Sequence, residues 1–375
     1  MLIKKLLYPI ILFILLSVSA VYCHAINHIS VSAECAVVIN ADTLEVIFEK
    51  NAHERKSMAS TTKIMTSLIA IESGRLNERV TVKDGIHSEG SSIGLKVSNV
   101  LTLESLVYGM MLESGNDAAE VTAEFFSETE ADFTVLMNDK AKEIGMTETN
   151  FETASGLDGD NHYSTAYDMA LLGAYAVENP VFRRFCSDRT KTVELIKPSC
   201  KMTFYNHNKL LDNCEGVFGI KTGFTKKSGR CLVSACERNG VTLVVVTLNA
   251  PDDWNDHKKL YDACYDALSY ENINCDHCSS VGVYGSDKTE ISVKAETDSV
   301  SIAYLQNGNT ETRLLMPKII YAPVKKGDII GELQILYDSK IIRSVPITAT
   351  ENAERIIGKS EKKFNIFDKI KAIFS

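Results

Sequence analysis

The sequence predicts an α/β domain over residues 26–272, a small all-β domain over 278–350 and a basic amphipathic tail over 351–375. Three observations lead there. β-rich runs stand at both ends of the first segment with helical periodicity between them, so distant parts of the chain must share one sheet. After Cys278, short β-rich runs alternate with turn residues. The last stretch returns to a helical period, with apolar residues on one face and most lysines elsewhere.

The first 25 residues read as a secretory signal. Lys4 and Lys5 form a basic start, the run from Leu6 to Leu16 is almost entirely apolar, and Ala20 and Ala25 offer small residues before a cut. Cys23 raises a lipoprotein alternative, but Tyr22 occupies a place that needs a small side chain. An uncleaved anchor is the other alternative, since the apolar stretch nearly reaches spanning length. Each of the three exports the body of the chain.

The segments Cys35 to Asn40 and Leu44 to Phe48 are β-rich, and Ala41-Asp42-Thr43 between them makes a hairpin. From Ser60 the pattern turns helical: Ile64, Met65, Leu68, Ile69 and Ile71 are apolar, and Gly74 ends the run. Thr102 caps a helix through Met111, and a second helix runs from Asp117 to about Phe126. Ala166 to Val177 is helical again. Three strands follow, Val217 to Thr225, Cys231 to Cys236 and Val241 to Asn249, the last two joined through an Asn239-Gly240 turn. A helix over Trp254 to Leu268 closes the domain. Beyond Cys278 the strands are Ser279 to Tyr284, Glu290 to Ala295, Val300 to Leu305, Ile329 to Tyr337 and Ile341 to Ile347. In the tail, Phe364, Ile366, Phe367, Ile370, Ile373 and Phe374 share most of one face. Five lysines between Lys359 and Ser375 face only Glu361 and Asp368 in charge, the pattern of a membrane-surface anchor.

Composition narrows the function. The 375 residues, 45% hydrophobic and 24% charged, suit two or three globular domains. A net charge of −9 argues against nucleic acid as the main partner. Nine of the ten cysteines follow residue 25, and an odd number cannot all pair within one chain. Cys275-Asp276-His277-Cys278 has the spacing of half a zinc site, but no second pair accompanies it, so no metal is expected.

The chemistry lies in three short stretches. Ser60-Thr61-Thr62-Lys63 places a hydroxyl and an amine three residues apart on one helical face. Serine is a weak nucleophile until a base takes its proton. Lysine serves as that base only when burial or a second cation lowers its pKa from about 10.4. Lys221, in Lys221-Thr222-Gly223, is the candidate second cation. Ser114-Gly115-Asn116 falls in the joint between two helices. At a helix start the backbone N–H of Ser60 is free to face a developing oxyanion, and the N–H of Phe224 is the candidate second donor. Either motif alone is common by chance. Their order and their placement on helix start, loop and strand make the set specific. Ser60 and Asn116 also suit ordinary helix caps.

With these motifs the chain resembles the low-molecular-mass penicillin-binding proteins that are serine D-alanyl-D-alanine carboxypeptidases. The likeness covers most of the chain: Met58 to Thr66, Ser91-Ser92-Ile93-Gly94-Leu95, Leu112 to Ala119, Gly156-Leu157-Asp158 and Gly219 to Gly223. It implies a penicillin-binding-protein/β-lactamase-like catalytic domain with an antiparallel sheet flanked by helices. A β-sandwich and a membrane-associating helix would follow. It also implies removal of the terminal D-Ala from peptidoglycan stem peptides at the outer face of the cytoplasmic membrane, with β-lactams as covalent inhibitors and no cofactor. In that scheme Ser60 attacks, Lys63 takes its proton, Ser114 and Asn116 relay it to the leaving D-Ala, and Lys221 and Thr222 hold the terminal carboxylate. Some relatives have His where this chain has Phe224. Arg230 and the Asp252 to Lys259 segment also depart from the pattern and receive no role.

Two rival readings remain at this level. A β-lactamase would share the acylation machinery, but a class A enzyme needs a Glu-x-x-Leu-Asn loop for deacylation, which is absent here. A β-lactam sensor or wall-binding scaffold would need a transmembrane relay or could dispense with the nucleophile; the motif set is complete.

Overall fold

The computed structural model describes residues 29–86, 89–276, 278–305 and 309–356. The signal segment and the basic tail lie outside the described residues. These fall into two compact units, the first running to Tyr270 with a short return at residues 302–305, the second holding Glu271–Ser301 and the chain from residue 309.

In the first unit β1 (Cys35–Asn40) and β2 (Val46–Lys50) form the expected hairpin. A 3-10 turn at Ala59–Thr62 leads into α1 (Lys63–Glu72), so the nucleophile candidate sits in a tight turn before the α-helix proper. A short ladder of β3 (Arg79–Thr81) and β4 (Val100–Thr102) precedes α2 (Leu103–Leu112). The Thr102 hydroxyl caps α2 by accepting from the Ser105 N–H. Then come α3 (Asn116–Phe126) and α4 (Glu130–Ile144). No clear hydrophobic period announces α4 in the sequence, yet its ends are well marked. Thr129 accepts from the Asp132 N–H at one end, and Gly145 closes the other at φ 94°. The chain continues through α5 (Ala166–Glu178), α6 (Pro180–Ser187), a β5 (Thr190–Leu195) and β6 (Cys200–Tyr205) hairpin, and α7 (Leu210–Asn213). It ends in β7 (Val217–Thr225), β8 (Gly229–Arg238), β9 (Val241–Leu248) and α8 (Asp253–Ala267).

The main sheet is antiparallel in the order β2-β1-β9-β8-β7. Cys35 stands opposite Leu248, which joins the two ends of the unit as their patterning predicts. Side chains alternate between two cores. Val37, Ile39, Val244 and Val246 pack under the helical layer; Ala36, Val38, Leu243 and Val245 pack on the side that holds Leu260, Tyr261 and Cys264 of α8. With both faces covered, β9 reads as an unbroken apolar run rather than an alternating one. A buried polar cluster fastens α8 to the sheet. Ser234 Oγ lies 2.7 Å from His257 Nδ1 and 2.6 Å from the Tyr261 hydroxyl, and Thr247 Oγ1 lies 2.9 Å from His257 Nε2. Burial pushes His257 down to about 3, so it stays neutral and all its bonds are between uncharged groups.

The chain beyond α8, most of it in the second unit, is all β, as expected: β10 (Ser269–Asn274), β11 (Cys278–Tyr284), β12 (Glu290–Ala295), β13 (Ser299–Tyr304), β14 (Thr310–Leu315), β15 (Ile319–Tyr321), β16 (Ile329–Tyr337) and β17 (Lys340–Ala349). Its six-stranded sheet has the order β14-β16-β17-β12-β11-β15, and β10 pairs with β13. Ile291, Val293 and Ala295 alternate inward from β12. Ala353 bridges to Val324 and Arg355 to Ser286, so pairing within this unit continues past residue 350. Among the described residues no helix is long and apolar enough to cross a membrane.

Candidate active site

The three motifs converge at the free edge of β7. The 59–62 turn packs along that strand, where Gly223 supplies bare backbone. A Cβ on Gly223 would stand 3.1 Å from the backbone nitrogens of Ser60 and Thr61 and from the Met58 carbonyl. That spacing is tighter than an unstrained side-chain contact, so glycine lets the strand lie against the turn that carries Ser60. Gly156 does the same from the other side. Its φ is +85°, and a Cβ there would come 2.0 Å from the Ala59 carbonyl oxygen. Gly156→Ala should therefore lower stability by roughly 3 kcal/mol in a urea titration, through both the clash and the left-handed backbone. A wild-type midpoint would contradict this packing.

Lys63 is fully buried, and three oxygens surround its amine. Nζ lies 3.0 Å from Ser60 Oγ, 2.6 Å from Asn116 Oδ1 and 2.5 Å from the Ser155 carbonyl. Two of these partners only accept hydrogen bonds. A neutral amine satisfies them with its N–H groups and turns its lone pair toward the Ser60 hydroxyl. Burial, and next the charge on Lys221, hold the Lys63 pKa well below the ordinary lysine range.

Lys221 is buried too. Its Nζ donates to Ser114 Oγ at 3.1 Å and to the Thr222 carbonyl at 2.9 Å. Burial lowers its pKa to about 7. Ser114 therefore receives a bond from one lysine, while Asn116, two residues on, receives one from the other. Ser114 has φ +62°, a conformation that turns the chain sharply between α2 and α3. The joint is braced from outside. Asp117 accepts from Ser92 Oγ at 2.6 Å and from the Ile93 and Leu95 N–H groups at 3.0 Å, and the Asn116 N–H donates to the Ser91 carbonyl at 2.8 Å. This is the physical content of the Ser91 to Leu95 stretch.

Ser60, Ser114, Thr222, Gly223 and Phe224 line one cleft of about 340 Å³. Phe224 extends an exposed ring beside it. A larger hollow of about 730 Å³ near Glu215, Arg238 and Asp262 contains no part of the three motifs.

Several neighbours carry no signal in the sequence. The Ser155 carbonyl is a backbone group, so no residue type announces it; only its place beside Gly156-Leu157-Asp158 could have pointed there. His162 fastens that loop. Its Nδ1 accepts from the Glu152 N–H at 3.0 Å, which leaves Nε2–H to donate to Thr62 Oγ1 at 2.9 Å, one residue from Lys63. Burial pushes His162 down to about 4, consistent with this neutral tautomer. Arg230, Asp253 and Trp254 also line the cleft. Arg230 grips Asp253 side-on, with Nε and Nη2 at 3.0 and 2.7 Å from Oδ1, and lies over the Trp254 ring. They had no role in the sequence reading because β8 and α8 meet only in the folded sheet. Among the described residues no cluster of His, Cys, Asp or Glu could hold a metal ion.

Residues 22–252 match the family described as D-alanyl-D-alanine carboxypeptidase, and residues 276–355 match the C-terminal domain of penicillin-binding protein 5. The chain is 31% identical to the D-alanyl-D-alanine carboxypeptidase DacC of Escherichia coli, over 87% of this chain and 85% of that one. It is 29% identical to DacF of Bacillus subtilis, over 86% of both chains. Among solved structures, penicillin-binding protein 5 of Haemophilus influenzae superimposes with a TM-score of 0.62 at 26% identity, covering 87% of this chain and 99% of that one. The ampicillin-bound penicillin-binding protein D2 of Listeria monocytogenes superimposes at 0.57 with 28% identity, covering 64% of this chain and 99% of that one.

Proposed function

The chain belongs to the D-alanyl-D-alanine carboxypeptidase family, and we propose how its residues perform the serine-type hydrolysis that removes a terminal D-Ala from peptidoglycan stem peptides. Ser60 attacks the carbonyl of the penultimate D-Ala while neutral Lys63 accepts its proton. The observation that carries this is the three-oxygen environment of Lys63, which leaves its lone pair facing Ser60. The oxyanion forms between the backbone N–H groups of Ser60 and Phe224. Ser114, held by Lys221 and next to Asn116, relays the proton that Lys63 took from Ser60 to the nitrogen of the departing D-Ala, which leaves Lys63 neutral again. Water then releases the shortened peptide from Ser60. A β-lactam enters by the same attack and persists as an adduct. Mapping a labelled penicillin to a peptide containing Ser60 supports this; a label elsewhere, or penicillin turnover at many cycles per second, contradicts it.

Lys221 and Thr222 take the terminal carboxylate, and the cleft adds the planar guanidinium of Arg230. Asp253 fixes its Nε edge and leaves the outer fork for a carboxylate. Arg230→Gln should raise KM for a diacyl-Lys-D-Ala-D-Ala peptide about tenfold with a smaller change in kcat. An unchanged KM would remove Arg230 from substrate binding.

The signal-like start and the basic amphipathic tail support a position outside the cell, at the outer face of the cytoplasmic membrane toward the wall. A chain ending at Ile356 should keep its activity on soluble peptide and pellet far less with anionic vesicles. Equal pelleting would move the anchor to another part of the chain.

A further inference from the structure

The all-β unit carries exposed apolar surface at one end of its sheet, the end from which the chain leaves. β11 and β15 run parallel and finish with Tyr284 beside Tyr321. The two rings meet edge to face with centroids 5.8 Å apart, yet they are 70% and 74% exposed. Ile319 shares the face of Tyr321, two residues earlier on the strand, and is also exposed. Its partner across the ladder is Gly282, so no side chain covers it from that side.

β12 is antiparallel to both β11 and β17, and β17 is antiparallel to β16. The register staggers them, however: Ile329 stands opposite Thr348, which pairs with Lys294 and through it lies level with Cys278 at the start of β11, so only the ends of β11 and β15 meet at Tyr284 and Tyr321. The exit of the chain is pinned here as well. The Ile356 N–H donates to the Gly285 carbonyl at 2.9 Å, next to Tyr284, and Ile356 is itself exposed. Lys325 and Lys326 stand in the loop that bonds the same exit: the Val324 N–H donates to the Ala353 carbonyl at 3.0 Å, and the Lys326 N–H to Asn352 Oδ1 at 2.7 Å.

Exposed apolar side chains scattered singly need no explanation, but a group of them at one end of a small sheet does; Lys325 and Lys326 stand near it, with Asp287 and Asp328 among them. Tyrosine favours the headgroup layer of a bilayer, with its ring in apolar surroundings and its hydroxyl wet. Isoleucines beside it suit the acyl boundary, and lysines nearby suit anionic headgroups. Phe364, first of the apolar residues of the tail, follows Ile356 by eight residues, at most about 28 Å of chain. Whatever surface the tail binds is thus within reach of this end.

We propose that this end of the β unit, centred on Tyr284 and Tyr321, is a second membrane contact that enters the headgroup layer of an anionic bilayer. Its nearness to lipid rests on the reading of the tail as an anchor, but its own contact is tested separately. In the full chain, Tyr321→Trp sets a reporter in the patch, and the signal of the single native tryptophan, Trp254, is subtracted using the parent protein. On vesicles of phosphatidylglycerol and phosphatidylcholine the reporter emission should shift to the blue, and lipids brominated near the headgroup should quench it. Tyr284→Ser combined with Tyr321→Ser should lower vesicle partitioning about tenfold, with unchanged melting and unchanged D-Ala release from soluble peptide. An unquenched reporter, or undiminished partitioning of the double variant, overturns the proposal. A reporter already blue-shifted without lipid, and red-shifted in a chain ending at Ile356, names the tail as occupant and also overturns it. A reporter quenched equally in the full chain and in the chain ending at Ile356, with equal pelleting of the two, supports the patch and rejects the tail as anchor.

Discussion

Ser60→Ala should abolish both D-Ala release from a diacyl-Lys-D-Ala-D-Ala peptide and covalent labelling by penicillin. The expected fall in kcat is about 10⁵-fold or more, since no other group replaces a lost nucleophile. The fold should survive. Ser60 stands in a 3-10 turn whose shape is held by other contacts: the Thr61 hydroxyl donates to the Met58 carbonyl at 2.6 Å, and Gly156 and Gly223 pack against its backbone. An unchanged melting curve with no labelling would assign the loss to chemistry. Equal D-Ala release by the two proteins would sink the nucleophile assignment.

Lys63→Met tests the base. Methionine is close to lysine in length but cannot take a proton, so acylation should slow by about 10³-fold or more. Wild-type labelling rates would pass the role of base to another group. The pH dependence of the native enzyme gives an independent check. Burial and the nearby Lys221 lower the Lys63 pKa, so its base form appears as pH rises through a value well under the ordinary lysine range. Lys221 loses its charge on rising past about 7, and with it part of the hold on a carboxylate. The two lysines titrate as a coupled pair, so kcat/KM should follow a bell whose limbs belong to both. A bound carboxylate favours protonated Lys221, so the alkaline limb of kcat should lie at higher pH than that of kcat/KM. An alkaline limb that stays put between the two parameters would separate Lys221 from carboxylate binding.

Much of the fold was legible because it is announced locally. Thr102 marks a helix start by its own hydroxyl, and the Asn239-Gly240 turn marks the hairpin that joins β8 to β9. The β5 and β6 hairpin and α4 were not read. Strands β5 and β6 keep much of their surface exposed, so a hydrophobic period hardly shows. The buried apolar residues Phe133, Met137 and Ala141 of α4 are diluted by charged neighbours.

The active site divides along a similar line. Residue type and spacing were enough for a serine with a lysine three residues on, and for a second lysine on a later strand. Those features are local, and hydroxyls and amines have few chemical uses in that arrangement. The tertiary structure decided what no pattern contains. It buries Lys63 against the Ser155 carbonyl, 92 residues away, and brings Lys221 to Ser114 across 107 residues. It also sets Arg230 against Asp253 at the wall of the cleft. Proton affinity depends on the water excluded and the charges brought near, and both are properties of the packed surroundings rather than of the residue. A lysine is written in the sequence; its lowered proton affinity is made by the fold around it.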